Sequence, residues 1–176
     1  YVGALHALGL DSKGCDIVEL FCPGHLKDLS TIFGFSHGGG FDLRTGWDFS
    51  LAADRKRCWA TLLDLEPLFI LGFEVRAVLC LAAFEQGHAG GQSEYDEGVG
   101  HLRFVAEIFA WQNERGAYFL HEHPWRATSW KLDCMKAVVE LDGVDLRQGH
   151  QCRFGLKLKG QDGLERLALK PTGWLS

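Results

Sequence analysis

The chain has 176 residues, of which 47% are hydrophobic and 23% charged, and we expect residues 1–176 to form a single globular domain. No apolar run is long enough to cross a bilayer, so we predict no membrane-spanning helix. The net charge of −5 excludes a general electrostatic attraction to nucleic acid, and we interpret the one basic cluster, Arg55-Lys56-Arg57, as a solvated helix face.

The cysteines and the start of the chain indicate a compartment. The six cysteines form no CxxC pair, which favours free thiols in a reducing environment over a disulfide framework. The apolar residues 1–10 have neither the basic flank nor the cleavage site of a signal peptide, and we expect them to be internal to a longer chain. Both features predict an intracellular protein.

The first half of the chain predicts three strands separated by two helices. The strands are expected at residues 16–21, 41–43 and 68–71, and the helices at residues 26–33 and 51–65. A Cys22-Pro23-Gly24 turn follows the first strand, and a Gly38-Gly39-Gly40 loop precedes the second. Ser50 is the expected N-cap of the longer helix. The residues expected to face inward from that helix include Leu51, Leu62 and Leu63.

The second half continues the alternation after a glycine-rich loop, residues 87–100. A helix is predicted at residues 98–113, ending before Gly116. Its expected apolar stripe consists of Leu102, Val105, Ala106 and Phe109. A strand at 117–121, a helix from Ser129 to Leu141 and a strand at 151–158 follow. The alternation predicts an α/β protein with a Rossmann-like, doubly wound, mostly parallel sheet and helices on both faces.

The strand at 117–121 delivers a cluster of ionisable side chains, His121-Glu122-His123, to its carboxyl end, where open α/β sheets bind ligands. The two histidines share one face of an extended strand. With Cys134 or Cys152 they would make a metal site, and Cys152 with either histidine would make a nucleophilic pair. We favour the plainer interpretation without a metal, in which one histidine is hydrogen-bonded and the other is exposed to solvent.

The turn after the first strand is a candidate cofactor site. In doubly wound folds this turn approaches a nucleotide-like cofactor, and an acidic residue about 20 positions later binds a ribose hydroxyl. The turn here, residues 21–25, contains one glycine, Gly24, and Asp42 lies at the expected distance with Asp48 close behind. The alternative is a tight turn with a solvated aspartate.

The order of these segments resembles a known family. The phrases that carry the resemblance are Gly46-Trp47-Asp48, residues 119–124, Thr128-Ser129-Trp130, Gln151-Cys152 and Lys170-Pro171-Thr172. In this order they resemble the catalytic domain of cytosine-C5 DNA methyltransferases and, more closely, the methyltransferase-like domains of retroelement-type polyproteins. The resemblance covers residues 16–172.

The resemblance implies S-adenosylmethionine as the cofactor and places its binding residues. Glu19, Phe21 and Gly24 are expected at the methionine end and Asp42 at the ribose, and the cofactor pocket is expected between Phe21, Asp42 and Gly72. The family's strand-end glutamate, which contacts the target base, corresponds to Glu122. Its neighbour, usually asparagine, is His123, and we take these last two as the candidate catalytic residues.

The family's nucleophile is missing from its expected place. A Pro-Cys dipeptide should follow the third strand, where residues 72–76 read Gly-Phe-Glu-Val-Arg, and the nearest thiol is Cys80. Methylation at cytosine C5 needs a thiolate to add to the ring. We therefore expect a methyltransferase-like domain that has lost this reaction, with nucleic acid as a partner in the active alternative, or else a catalytically inactive binding or structural module. Either way, Glu19, Asp42, Gly72 and Glu122 should line one edge of the sheet.

Overall fold

A computed structural model describes residues 14–73 and 91–176. The expected internal start, the segment that contains Cys80 and the first residues of the predicted 87–100 loop lie outside this range. The strands are β1 Ile17–Leu20, β2 His37–Phe41, β3 Phe69–Gly72, β4 Tyr118–Pro124, β5 Leu146–His150, β6 Lys157–Lys159, β7 Glu165–Leu167 and β8 Pro171–Leu175. The helices are α1 Lys27–Ile32, α2 Ala52–Leu65, α3 Gly91–Glu114 and α4 Asp133–Val139. Across the described part of the chain, no helix has the length and apolarity that a membrane span requires.

The main sheet has six strands in the order β2-β1-β3-β4-β8-β5. The pairs β1–β2, β1–β3 and β3–β4 are parallel, whereas β8 is antiparallel to both of its neighbours. Strands β6 and β7 form a separate antiparallel hairpin. The prediction of an α/β protein with a mostly parallel sheet is confirmed.

Helix α3 forms the centre of the core. Its predicted stripe is confirmed, because Leu102, Val105 and Phe109 have no exposed surface. The Phe109 ring stacks on Phe119 of β4 with 4.4 Å between centroids. The helix begins at Gly91, so the expectation of a loop over residues 91–97 is wrong: the half-buried Tyr95 packs against the core one turn before the buried Val99.

The glycine run at residues 38–40 is part of β2 and not the predicted loop. A Cβ at Gly40 would lie 2.2 Å from the Gly24 backbone nitrogen, and one at Gly38 would lie 2.6 Å from the Cys15 sulfur. The glycines are therefore required because the turn after β1 and the Cys15 side chain pack directly on the strand. The strand ends at Phe41, and Leu43 belongs to a short 3₁₀ helix.

The predicted start of α2 is also wrong in detail. Leu51 occupies the N-cap position, and the Ser50 hydroxyl instead binds the carboxylate of Asp48. Of the three leucines expected to face inward, only Leu62 is buried, while Leu51 and Leu63 are more than half exposed. Cys58, one turn before Leu62, completes the inward face.

The last third of the chain departs most from the sequence prediction. Ser129 lies in a 3₁₀ helix, and the helix after it covers only Asp133–Val139. The predicted strand at 151–158 is a 3₁₀ helix followed by β6, while β5 and β8 were not predicted. A Cβ at Gly173 in β8 would lie 2.8 Å from the Trp130 ring, so this strand carries a glycine for packing.

Replacing Gly40 with alanine should destabilise the fold by about 2 kcal/mol or more, because the new Cβ meets backbone atoms that have no freedom to rotate away. Urea unfolding measures this as a lower midpoint at constant m-value. Gly100→Ala in α3 is the matched control: nothing lies within 4 Å of its Cβ position. It should raise stability by up to about 1 kcal/mol through helix propensity. Equal effects of the two variants would contradict the packing argument.

Candidate functional site

The predicted site residues lie along one edge of the sheet. The strand registers place Phe41, Leu20, Gly72 and His121 at the same level of β2, β1, β3 and β4. Asp42 and Glu122 each follow this level by one residue, and Glu19 precedes it by one. The four residues that were expected to share an edge therefore lie across four adjacent parallel strands at their carboxyl ends.

The sheet reverses its strand order at β1. Strand β2 lies on one side of β1 and β3 on the other, so the connection from β1 to β2 runs in one direction along the sheet and the connection from β2 to β3 returns across β1. In open α/β sheets such a switch point opens a crevice outside the carboxyl ends of the strands, and ligands bind there. The predicted cofactor residues lie near these strand ends. Glu19 is in β1, Phe21 and Gly24 follow it, Asp42 follows β2 and Gly72 ends β3.

A buried carboxylate organises the turn after β1. Glu19 has no exposed surface. Its Oε1 accepts hydrogen bonds from the Leu26 backbone N–H at 2.8 Å and from His37 Nε2 at 2.9 Å, and its Oε2 accepts one from the Cys22 thiol at 2.9 Å. Burial raises the pKa of Glu19, but these three hydrogen bonds outweigh it and hold the pKa below its usual value. The carboxylate thus ties β1, its turn and β2 together.

The turn that Glu19 holds has an unusual backbone. Phe21 adopts a φ of +56° and Gly24 one of +94°. The Phe21 ring packs against Phe49 and His101, with centroid distances of 4.9 and 5.5 Å. This packing holds the non-glycine residue in a conformation that is otherwise disfavoured.

Asp42 ends β2 and is tied to the chain that follows. Its Oδ1 accepts the Arg44 backbone N–H at 2.9 Å, and the Thr45 hydroxyl accepts the Asp42 backbone N–H at 3.0 Å. These reciprocal bonds form a capping box at the start of a 3₁₀ helix. They fix the Asp42 carboxylate at the edge of the sheet beside the turn after β1.

Glu122 is bound by two residues that are distant in sequence. Its Oε1 accepts hydrogen bonds from Gln151 Nε2 at 2.8 Å and from Lys170 Nζ at 3.1 Å. The Glu122 side chain is only 11% exposed. Gln151 follows β5 and Lys170 precedes β8. Both residues belong to sequence phrases that carried the family resemblance. Sequence reasoning named Glu122 but not this contact, and the order of the phrases was the only signal of it.

The two histidines beside Glu122 are both fully buried, so the expectation that one is exposed to solvent is wrong. Their rings are stacked at 5.0 Å on the α3 side of β4, on the face opposite Glu122. His121 Nδ1 lies 3.2 Å from the Gly72 carbonyl oxygen, and His123 Nε2 is hydrogen-bonded to the Ser129 hydroxyl. Burial and the neighbouring His123 lower the pKa of His121 to about 3, and burial lowers the pKa of His123 to about 4.

Gly72 is fixed by the same cluster. A Cβ at this position would lie 2.7 Å from the Phe109 ring and 3.3 Å from His121 Nδ1. The glycine therefore lets β3 pass close to α3 and lets its carbonyl group meet the buried imidazole. Within residues 14–73 and 91–176, no three histidine, cysteine, aspartate or glutamate side chains are arranged to hold a metal ion.

No protein-family model matches the chain, and neither does any curated protein or any solved structure.

The buried histidine pair should make the fold sensitive to acid. A histidine in the unfolded chain has a pKa of about 6.5. Below that pH the unfolded state binds protons, whereas the two buried rings stay neutral because their pKa values are lower. Stability is complete above about pH 6.5 and falls as the pH drops towards 4. Between pH 7 and pH 5 we expect a loss of about 2 kcal/mol of unfolding free energy per histidine. Urea unfolding across this range measures the slope.

A His123→Leu variant should halve that slope whatever its absolute stability, because one of the two titrating rings is gone. Met135→Leu changes a buried residue that has no titratable group and should leave the slope as it is. An unchanged slope in the His123 variant would show that the acid sensitivity arises elsewhere.

Proposed function

We propose that this chain is an S-adenosylmethionine-dependent methyltransferase-like domain with a Rossmann-like, doubly wound fold, and that it has lost the nucleophile for cytosine-C5 methylation. The observation that supports this is the meeting of three separate phrases of the resemblance on one carboxylate. Residues 119–124, Gln151-Cys152 and Lys170-Pro171-Thr172 supply the Glu122 contact although they are 29 and 48 positions apart. A mostly parallel sheet with a switch point at β1 is compatible with that fold.

The edge beside β1 has the chemistry to hold the cofactor. Asp42 Oδ1 is engaged by Arg44, so we assign Oδ2 to a ribose hydroxyl. Gly24, with its positive φ and no side chain, would let the backbone approach the methionine end, and we assign Phe21 and Gly72 to the sides of the cofactor. Glu19 acts indirectly: its carboxylate is filled by three internal donors, so it shapes the turn. When bound, S-adenosylmethionine would supply an electrophilic methyl group.

Glu122 is the group we assign to the methyl acceptor. Gln151 and Lys170 fix one carboxylate oxygen, which leaves Oε2 to accept a hydrogen bond from an acceptor's N–H. His123 lies behind the strand and is bonded to Ser129, so we assign it the role of holding β4 in place. The acceptor class includes nucleic acid bases, whose edges carry such donors.

Calorimetry with S-adenosylmethionine and S-adenosylhomocysteine tests the cofactor site. We expect saturable binding of both, and about tenfold weaker binding by Asp42→Asn, because a charged hydrogen-bond partner of the ribose is lost. The amide oxygen of asparagine still accepts the Arg44 N–H, so the capping turn survives and the melting temperature should barely change. Asp64→Asn, an exposed change on α2, is the control. No heat at millimolar ligand would overturn the cofactor assignment.

A second candidate function, a catalytically inactive module of the same fold, is favoured by the absent Pro-Cys dipeptide. Both candidates predict no transfer of a tritiated methyl group to cytosine C5 in single-stranded or duplex DNA, measured beside an active cytosine methyltransferase. They differ for other acceptors. If the domain is active, Glu122→Gln should abolish methyl transfer and leave cofactor binding intact. Tritium at cytosine C5 would contradict both.

A further inference from the structure

A cavity of about 670 Å³ lies between helices α2 and α3. Its volume is in the range of small-molecule binding sites. Among the described residues, none of those assigned to the cofactor or to the methyl acceptor lines it. Phe49 and His101 line the cavity and also pack against Phe21, which places it beside the turn after β1. The cavity is therefore a separate candidate site.

A glycine keeps this cavity open. Asp96, Gly100 and Phe104 are four residues apart on one row of α3, and all three line the cavity. Nothing lies within 4 Å of the point that a Cβ of Gly100 would occupy. Since glycine inside a helix lowers helix stability, the space at this position exists at the expense of helix propensity.

Aromatic rings form the apolar part of the lining. Phe49 and Phe104 are buried, and their ring centroids are 5.1 Å apart. Trp59 is half-buried, and its ring meets those of Phe104 and Trp111 edge-on, with centroid distances of 6.4 and 5.6 Å. These contacts hold the rings in place. A planar aromatic ligand gains stacked or edge-to-face contacts with such a wall.

The charged residues of the lining are divided unequally between the two helices. The α2 wall carries Arg55 and Lys56, a charge of +2. The α3 wall carries three acids and one cation, a charge of −2, from Asp96, Glu97, Glu107 and Arg103. Within the described part of the chain, no salt bridge joins the two walls. The cavity thus separates a positive wall from a negative one.

Arg55 is the most firmly held cation of the positive wall. Its Nη1 donates hydrogen bonds to the carbonyl oxygens of Phe49 at 2.6 Å and Ser50 at 2.9 Å, which fix the half-buried guanidinium group. Neutral carbonyl groups leave its charge uncompensated, and no described carboxylate forms an ion pair with it. The other N–H donors of the planar group suit the carboxylate of a ligand.

We propose that the cavity between α2 and α3 binds a free aromatic α-amino acid. The ligand's carboxylate lies against Arg55 and Lys56, its ammonium group against the acids of α3, and its ring against Trp59. A dipolar ligand complements both walls, whereas a purely anionic or purely cationic ligand meets one wall of like charge. The site shares no residue with the proposed cofactor site, so the two assignments succeed or fail separately.

Isothermal titration calorimetry of the full chain with L-phenylalanine, L-tyrosine and L-tryptophan tests the proposal. We expect saturable binding of at least one of them with a Kd of about 1 mM or lower, which the binding energy per ligand atom allows. The matching amine and acid, such as tryptamine and indole-3-propionate for tryptophan, each lack one charge and should bind at least about tenfold more weakly. L-Alanine has the dipole without the ring and should also bind at least about tenfold more weakly. Binding of none of the three amino acids, or equally tight binding of any analogue, would overturn the proposal.

A size series at Gly100 locates the ligand. Gly100→Leu should fill the space and weaken binding at least about tenfold. Its melting temperature should not fall, because leucine is a better helix former and its Cβ meets open space. Gly100→Ala adds one methyl group and should change the affinity less than about threefold. Equal affinities of the two variants would show that the ligand binds elsewhere.

Charge variants test the positive wall. Lys56→Gln should weaken binding about threefold, because it removes one exposed charge that faces the ligand's carboxylate. Lys27→Gln is the matched control, since it removes the same charge from an exposed lysine on α1 and should have no effect. Asp42→Asn should bind the amino acid as tightly as the unchanged chain, which separates this site from the cofactor site. An equal loss in the Lys27 variant, or any loss in the Asp42 variant, would contradict the assignment.

Discussion

The buried carboxylate of Glu19 is the interaction on which the carboxyl edge of the sheet depends. An ionised group without solvent is stable only when its oxygens are filled by donors, and here the donors come from the turn after β1, the start of α1 and β2. Each donor is therefore held where the carboxylate needs it. The close approach of Gly24 to Gly40 follows, because the same bonds draw the turn down onto β2.

Consecutive residues of strand β4 alternate between the buried core and the opposite face of the sheet. On its α3 side, His121 and His123 are neutral, stacked and part of the core, where they join β3 and the Ser129 segment. On its other side, Glu122 meets Gln151 and Lys170 near solvent. A one-residue slip would bury the glutamate and expose the imidazoles, so the packing of α3 on Phe119 and His121 also sets where Glu122 lies.

The elements that could be predicted from the sequence are those in which buried positions carry apolar residues in a regular pattern. The α3 stripe and the strands β1, β3 and β4 show the apolar pattern of their surroundings directly. Strand β2 was predicted at residues 41–43 instead of His37–Phe41, and β8 was missed. The glycines of these strands are required by the turn after β1 and by the Trp130 ring, which are tertiary contacts without a periodic signature. Strand β5 is a polar edge strand. The partners of Glu122 were hidden for a related reason, since antiparallel β8 brings Lys170 back to β4 across 48 residues.

The β6–β7 hairpin is connected to Glu122 through both of its ends. A force on the exposed hairpin is carried to the body through its two ends, and both ends hydrogen-bond the same carboxylate oxygen. Any contact that orders the hairpin therefore also orders Gln151 and Lys170, and with them Glu122. An ion pair with an ammonium group that is 47% exposed is weak by itself. It becomes more persistent once the segment on which Lys170 lies is held, because the entropy of ordering that segment has already been lost. Glu122 is therefore held most firmly when the hairpin segment is ordered.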